Sequence, residues 1–222
     1  MKLIKKLENS NVRFIDLLKY VYSKAFWTFF RGMLWSIFVK CKYPFFVGRA
    51  VKINHCNYLS VGRNVYIGDY SAFYCLGRGG VNIGDNVTIR EFAWLQLTSS
   101  LSNPGESINI GSDTYIGPRS SLGAAGKLSI GKCCQIGSGV SFVAENHQFS
   151  NNKSIFEQGV SRKGIVIEDD CWIGNNVIIL DGVTIGTGAV IGAGAVVTKS
   201  FGPGSVIVGN PARIMKVRSS DC

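Results

Sequence analysis

The stretch that decides the fold is IEDDCWIGNNVIILDGVTIGTGAVIGAGAVVTK, running from Ile167 to Lys199. An aliphatic residue returns at every sixth position: Ile167, Ile173, Ile179, Ile185, Ile191 and Val197. Four residues after each of the first five stands a small or slim side chain: Cys171, Val177, Val183, Ala189 and Ala195. A period of six fits neither an amphipathic helix, with about 3.6 residues per turn, nor a flat hairpin, although it is a multiple of the strand period. Gly174, Gly186 and Gly192 directly follow the aliphatic position. The unit is therefore a short strand, a tight corner and another short strand, and a fixed repeat of this kind takes precedence over local assignments.

The same register extends toward the N-terminus. It begins faintly at Val47 and Ile53 and continues at Val61, Ile67, Phe73, then Ile83, Ile89, Leu95. It resumes at Ile110, Ile116, Leu122 and at Ile130, Ile136, Phe142. Grouped in threes, these positions make six full sets and a partial one at the start. Two longer interruptions stand out, Thr98 to Asn109 and Val143 to Val166. Three hexads per turn predict a triangular prism whose sides are short parallel strands, with coils stacked about 4.8 Å apart. One coil cannot bury its own apolar side chains, so neighbours above and below must do so.

Charge is unevenly spread. Residues 1–52 hold eleven Lys/Arg against two acids, a net +9, whereas residues 53–198 hold nine against eleven. Residues 199–222 hold four against one. The overall +10 is thus no sign of a nucleic-acid binder, because the repeat itself is nearly neutral. Positive charge on the two ends suits phosphates of lipid headgroups, of a nucleotide cofactor or of a phosphorylated substrate. The seven cysteines show neither a CxxC pair nor metal-ligand spacing and read as reduced and partly buried. No cleavable signal peptide is evident.

Residues 12–40, VRFIDLLKYVYSKAFWTFFRGMLWSIFVK, show helical spacing at first and become apolar nearly all round from Ala25 to Val39. Fifteen residues with a central Arg31 are short of the roughly 20 needed to span a bilayer. Two readings stand side by side: a helix lying in an anionic membrane interface, and a helix capping the open end of the repeat or packing on another subunit. Pro44 marks its expected end. The chain divides accordingly into a basic, aromatic helical segment, 1–43, and a repeat domain with its tail, 44–222.

The IGxx[AV] hexads, WIGNN at 172–176, IGAGAVVTK at 191–199 and GNPAR at 209–213 resemble the hexapeptide-repeat acyltransferases, in particular the O-acetyltransferases of sugars and polysaccharides. The resemblance covers about residues 47–218. It implies an all-β solenoid, a left-handed parallel β-helix of six to seven coils, although parallel crossovers are in general right-handed. It also implies a homotrimer with acetyl-coenzyme A in the grooves between subunits; the odd, scattered cysteines read as cytosolic, and no metal is expected.

Two histidines can carry chemistry. His55, in INHCN, has no acid or cysteine partner close in sequence and reads as a surface position. His147, in AENHQF, lies where the register breaks, and excursions from a rigid scaffold are where function concentrates. An imidazole can take a proton from a hydroxyl and release it again near neutrality. The resemblance implies that role for His147, with the backbone N–H of Asn175 serving the tetrahedral oxyanion across the subunit groove. Glu145 either orients the imidazole or is a solvated loop acid. Cofactor contacts fall, by the same resemblance, on Asn175, Ala193, Thr198, Lys199, Arg213 and Lys216. Gly194 lets backbone approach the pantetheine arm, and Trp172 offers an aromatic face. Residues 175 and 193, one turn of eighteen apart, together with Trp172 and Lys199, are expected along a single edge. Neither Cys133 nor Cys134 has a base nearby, so no acyl-enzyme is expected.

The leading expectation is an acetyl-coenzyme A-dependent O-acetyltransferase in cell-surface polysaccharide synthesis. Its acceptor would be a saccharide or a lipid-linked glycan at the inner face of the plasma membrane. An N-acyltransferase of an amino sugar or nucleotide sugar uses the same base and groove. A prism-shaped carbonic anhydrase needs three zinc-bound histidines, and this chain has two. A non-catalytic scaffold is disfavoured by the irregular loop that carries His147 and by the absence of threonine ladders.

Overall fold

The computed structural model describes residues 13, 15, 16, 19, 22–98, 101–150 and 153–218. Successive short strands are laid in turn on three parallel sheets, so that every third strand is a hydrogen-bonded neighbour. The first face has seven strands, from Lys40–Cys41 to Thr184–Ile185. The third has seven, from Lys52–Asn54 to Val196–Val197. The second runs from Phe45–Val47 to Ser205–Val208 and is closed by the antiparallel strand Arg213–Val217.

The hexad positions point inward as the period demands. Ile167, Ile173, Ile179, Ile185, Ile191 and Val197 are all at most 1% exposed, and the slim residues between them are equally buried. The partial set at the start of the aliphatic pattern is a full turn. Cys41 pairs in parallel with Val61 and completes the partial set of Val47 and Ile53, making seven coils. This strand, Lys40–Cys41, lies ahead of the expected 43/44 boundary. An eighth turn starts at Phe201, bridged to Ile185, and continues at Ile207, paired with Ile191.

The corners are held by a side-chain ladder. At the residue following the corner glycine, a backbone N–H is accepted by a side-chain oxygen at the same position one coil on. Arg49 N–H meets Asp69 Oδ1 at 2.8 Å, Arg63 meets Asp85 at 2.8 Å, Lys132 meets Asp169 at 2.7 Å and Ser138 meets Asn175 at 2.9 Å. These short polar groups satisfy donors that the strand ladder leaves unpaired at the bends. The Arg63 bond holds the Asp85 carboxyl below its ordinary range.

The helix α1, Trp27–Trp35, follows a π-helical turn at Tyr22–Phe26. It ends well before Pro44, because the chain must already be extended at Lys40 to enter the first coil. It sits on the free edge of Phe45–Val47, where Arg31 Nε donates to the Val47 carbonyl at 3.0 Å. A Cβ on Gly32 would collide with the Phe45 carbonyl oxygen, so glycine is what permits this approach. The capping reading of this segment therefore describes its contact with the coil; residues 12, 14, 17, 18, 20 and 21 of it lie outside the described residues.

Candidate active site

The long excursion leaves the third face after Ser141–Val143 and rejoins the first at Ile165–Ile167. Its two limbs pair antiparallel, Asn146 with Ser161 and His147 with Val160. Beyond them lies a single turn of helix, α2, Ile155–Gln158, whose Gln158 accepts the Ser150 N–H at 2.6 Å.

Two polar anchors, neither anticipated from the sequence, fix the base of this hairpin. Arg162 Nε donates to Glu145 Oε2 at 2.7 Å, and its Nη1 donates to Asn103 Oδ1 at 3.0 Å and to the Pro104 carbonyl at 3.1 Å. One largely buried guanidinium thus ties both long excursions together, and an arginine's fixed fork suits such multiple bonds. On the return limb, the buried Asp181 accepts the N–H groups of Lys163 and Gly164 at 2.9 and 2.7 Å.

Glu145 is therefore committed to Arg162, and no hydrogen bond joins it to His147. Its Oε2 thus lies on Arg162 at the base of the hairpin that carries the histidine. His147 is exposed and, with Glu145, lines a cleft of 410 Å³ over the third face. The floor is low because Ser121 and Gly123 stand in register between Trp94 and Gln96 on one side and Ser141 and Val143 on the other. His55 lies at a corner of the first coil, exposed.

The second group of residues lies on the edge between the second and third faces. Gly194 N–H bonds to the Asn175 carbonyl at 2.8 Å, which confirms that 175 and 193–194 stack one coil apart. Here the corner ladder stops. Asn175 caps Ser138, but the equivalent position one coil on is Ala193, which has no oxygen to offer. The Asn175 N–H consequently has no hydrogen-bond partner among the described residues. Space around it is open: Ala193 is exposed, and a Cβ on Gly194 would meet nothing within 4 Å.

Trp172 projects outward from the second face beside this edge, 59% exposed, in one row with Val190, Val206 and Lys216. Arg213 pairs with Val208, and Val208 Cγ1 lies 2.9 Å from where a Cβ on Gly192 would stand, so Arg213 also flanks the edge. Thr198 and Lys199 do not share it. They follow Val196–Val197 and occupy the next corner, between the third and first faces, with Lys199 Nζ 5.8 Å from the Phe201 ring centroid. The single-edge expectation is corrected: 175 and 199 differ by one turn plus one hexad, which carries Lys199 one edge further round. Cys134 is buried, and a hydrogen bond with Cys171 together with burial raises its thiol, an environment unsuited to a thiolate nucleophile.

The chain matches the family model for the bacterial transferase hexapeptide over residues 164–199 and that for the hexapeptide repeat of succinyl-transferase over 58–90. It is 37% identical over 114 residues to a chloramphenicol acetyltransferase of Agrobacterium fabrum, covering 44% of this chain and 54% of that protein. It is 41% identical over 112 residues to a probable macrolide acetyltransferase of Lysinibacillus sphaericus, covering 43% and 62%. The chain thus spans little more than half the length of these relatives. Among solved structures, the polysialic acid O-acetyltransferase OatWY is 27% identical with a TM-score of 0.51, covering 77% of this chain and 81% of that one. AntD, an N-acyltransferase from Bacillus cereus in complex with dTDP and coenzyme A, shares the fold at 21% identity and a TM-score of 0.51, with 85% and 89% covered. The chain thus carries two hexapeptide-repeat matches and is similar in sequence and in fold to acetyltransferases.

Proposed function

We propose that this chain is an acetyl-coenzyme A-dependent O-acetyltransferase acting on a saccharide hydroxyl in the cytoplasm, as a homotrimer of left-handed coils. The observation that carries the reading is the pairing of two exposed groups on one rigid scaffold: the His147 imidazole at the rim of a cleft, and the unpaired Asn175 N–H on a coil edge. In the trimer these meet across a subunit groove. The exposed Phe149, Ile155 and Phe156 on the hairpin provide apolar surface for a neighbouring subunit.

The acceptor hydroxyl gives its proton to His147 as its oxygen attacks the thioester carbonyl. Charge gathers on the carbonyl oxygen, where the Asn175 N–H donates; removing one such donor typically costs about 10²–10³ in rate. As the C–S bond breaks, the imidazolium returns the proton to the departing thiolate. Glu145 serves through Arg162, holding the histidine's limb at a fixed height above the cleft.

Ala193 and Gly194 offer a narrow, open strip for the pantetheine arm, with Trp172 as an aromatic wall beside it. Arg213 and Lys216 flank the same edge and are placed for charge-assisted bonds to phosphates. Thr198 and Lys199 reach the donor only across the third face. The cleft pairs an indole face, Trp94, with the short hydroxyl and amide groups of Ser121 and Gln96. That mixture suits a ring with one apolar face and outward hydroxyls, in a free or a lipid-linked glycan.

The test is release of free coenzyme A thiol with a panel of neutral sugars, amino sugars, chloramphenicol and a macrolide, followed by product analysis. An O-acetylated sugar is the expected product. Acetylation of amines alone would replace the reading with an N-acyltransferase. Turnover of chloramphenicol or the macrolide alone would move the acceptor to the antibiotics for which the sequence relatives are named.

A further inference from the structure

The helix α1 is built inside out. Its buried stripe consists of Thr28 and Gly32, small residues seated on the edge of the first coil, with Arg31 and Trp35 half-buried beside them. Its large apolar residues stay exposed, although the Phe29 ring meets that of Phe46 on the coil at 5.8 Å and Trp27 lines a cleft with Arg31, Tyr66 and Asp69. Trp27, Phe29, Phe30, Met33 and Leu34 are all exposed, and Phe26 before the helix and Ile37 and Phe38 after it continue the same surface. At about 100° per residue Phe26, Phe30, Met33 and Leu34 share one side of the helix with no charged or polar residue between them, and Ile37 and Phe38 extend it past the last turn. A helix that only closes the coil would turn its aromatic residues inward. A contiguous apolar face of this size marks a binding surface.

Charge and composition select the occupant. The exposed Lys19 precedes these residues in the chain and the exposed Lys40 and Lys42 follow them, within a segment of net +9 whose only acids are Glu8 and Asp16. Asp16 is already paired with Arg13 at 2.9 Å. Against a second copy of the chain, this rim would meet its own like charge. Against an anionic lipid surface, it meets phosphates, while Trp and Tyr suit the headgroup level and Phe, Ile and Leu the acyl boundary. Among the described residues no helix is long and apolar enough to cross a membrane.

We infer that α1 is a membrane-surface anchor whose outward face, with Ile37 and Phe38, inserts into the headgroup boundary of an anionic bilayer. One helix then does two jobs. Its small-residue stripe closes the coil, and its aromatic face holds the coil end-on at the membrane, leaving the cleft above the third face at the side. The inference stands apart from the acyl-transfer reading, since it needs neither His147 nor a donor.

The experiment is co-sedimentation of the full chain with phosphatidylcholine vesicles and with equimolar phosphatidylcholine–phosphatidylglycerol vesicles. Binding to the anionic vesicles is expected to exceed that to the neutral ones by about tenfold or more and to weaken with salt. The triple variant Phe30→Ser, Ile37→Ser, Phe38→Ser should lose at least about tenfold in vesicle affinity. Its melting temperature should hold, because all three side chains are exposed; Phe149→Ser, on the loop hairpin, serves as the control that keeps binding. Equal sedimentation of wild type and triple variant with anionic vesicles overturns the inference. So does a triple variant that changes oligomeric mass in solution while vesicle binding stays as it was, since that assigns the face to a second copy.

Discussion

The regular coil from Ile165 to Val197 and the excursion that precedes it, residues 144–164, are built by opposite means. In the coil every inward side chain rests on its equivalents in neighbouring turns, and position follows from repetition of one apolar pattern. The excursion has no such column. Its hairpin is held by Glu145, Arg162, Asn103 and Asp181, four polar residues brought together from three separate stretches of chain. The first kind of order sets a scaffold; the second sets where one histidine stands upon it. Each can be broken without the other.

The largest expected effect is on the scaffold. Ile179→Ala empties a fully buried position flanked by Phe142 and Val197 in its column, and should cost about 2–5 kcal/mol of stability. Thermal unfolding measures it, and a loss under about 1 kcal/mol would mean that the column does not act as one packed core.

Next comes a substitution that extends the corner ladder where it naturally stops. Ala193→Asn places a side-chain oxygen one coil beyond Asn175, in the register by which Asn175 itself caps Ser138. The Asn175 N–H would then be occupied. Turnover should fall about 10²-fold while the melting temperature holds or rises. Unchanged turnover would show that this donor is not used.

The loop's anchoring is tested by Arg162→Met, which leaves the Glu145 carboxylate and the Asn103 and Pro104 acceptors without their donor. Turnover should drop by roughly 10–10²-fold through misplacement of His147, with stability lowered by about 1–3 kcal/mol. Because Arg162 acts through position, Arg162→Lys should restore part of the rate. A loss of stability with turnover intact would make the pairing purely structural.

The smallest effect belongs to the corner carboxylates. The Asp85 carboxyl is held below its ordinary range by the Arg63 N–H, and Glu168 by bonds from Thr187. Groups with depressed folded values contribute stability above their unfolded pKa and lose it as pH falls through the folded value. Acid should therefore lower the melting temperature of the wild type slightly more than that of Asp85→Asn, in melts from neutral pH downward.

The coil was legible in the sequence because each inward residue announces itself independently every six positions. Even so, Cys41, less hydrophobic than its column and hidden next to an aromatic helical segment, concealed the first hexad of the first turn. The edge of Asn175 and Ala193 was legible from arithmetic alone, and the same arithmetic carried one hexad too far places Lys199 on the next corner. Arg162 was not legible: its partners lie 17 and about 59 residues away, and nothing periodic links them. The unpaired N–H at Asn175 became visible only once the ladder's register was known, since the sequence shows Ala193 as one more small residue.

The most direct measurement of the account is the initial rate of thiol release from acetyl-coenzyme A, with a working acceptor, by wild type and by His147→Ala. The imidazole is exposed and bonded to no other described side chain, so the variant should fold and melt as the wild type does. Its rate should be lower by about 10²–10⁴-fold. A variant that turns over at the wild-type rate would remove His147 from the chemistry and contradict its role as base.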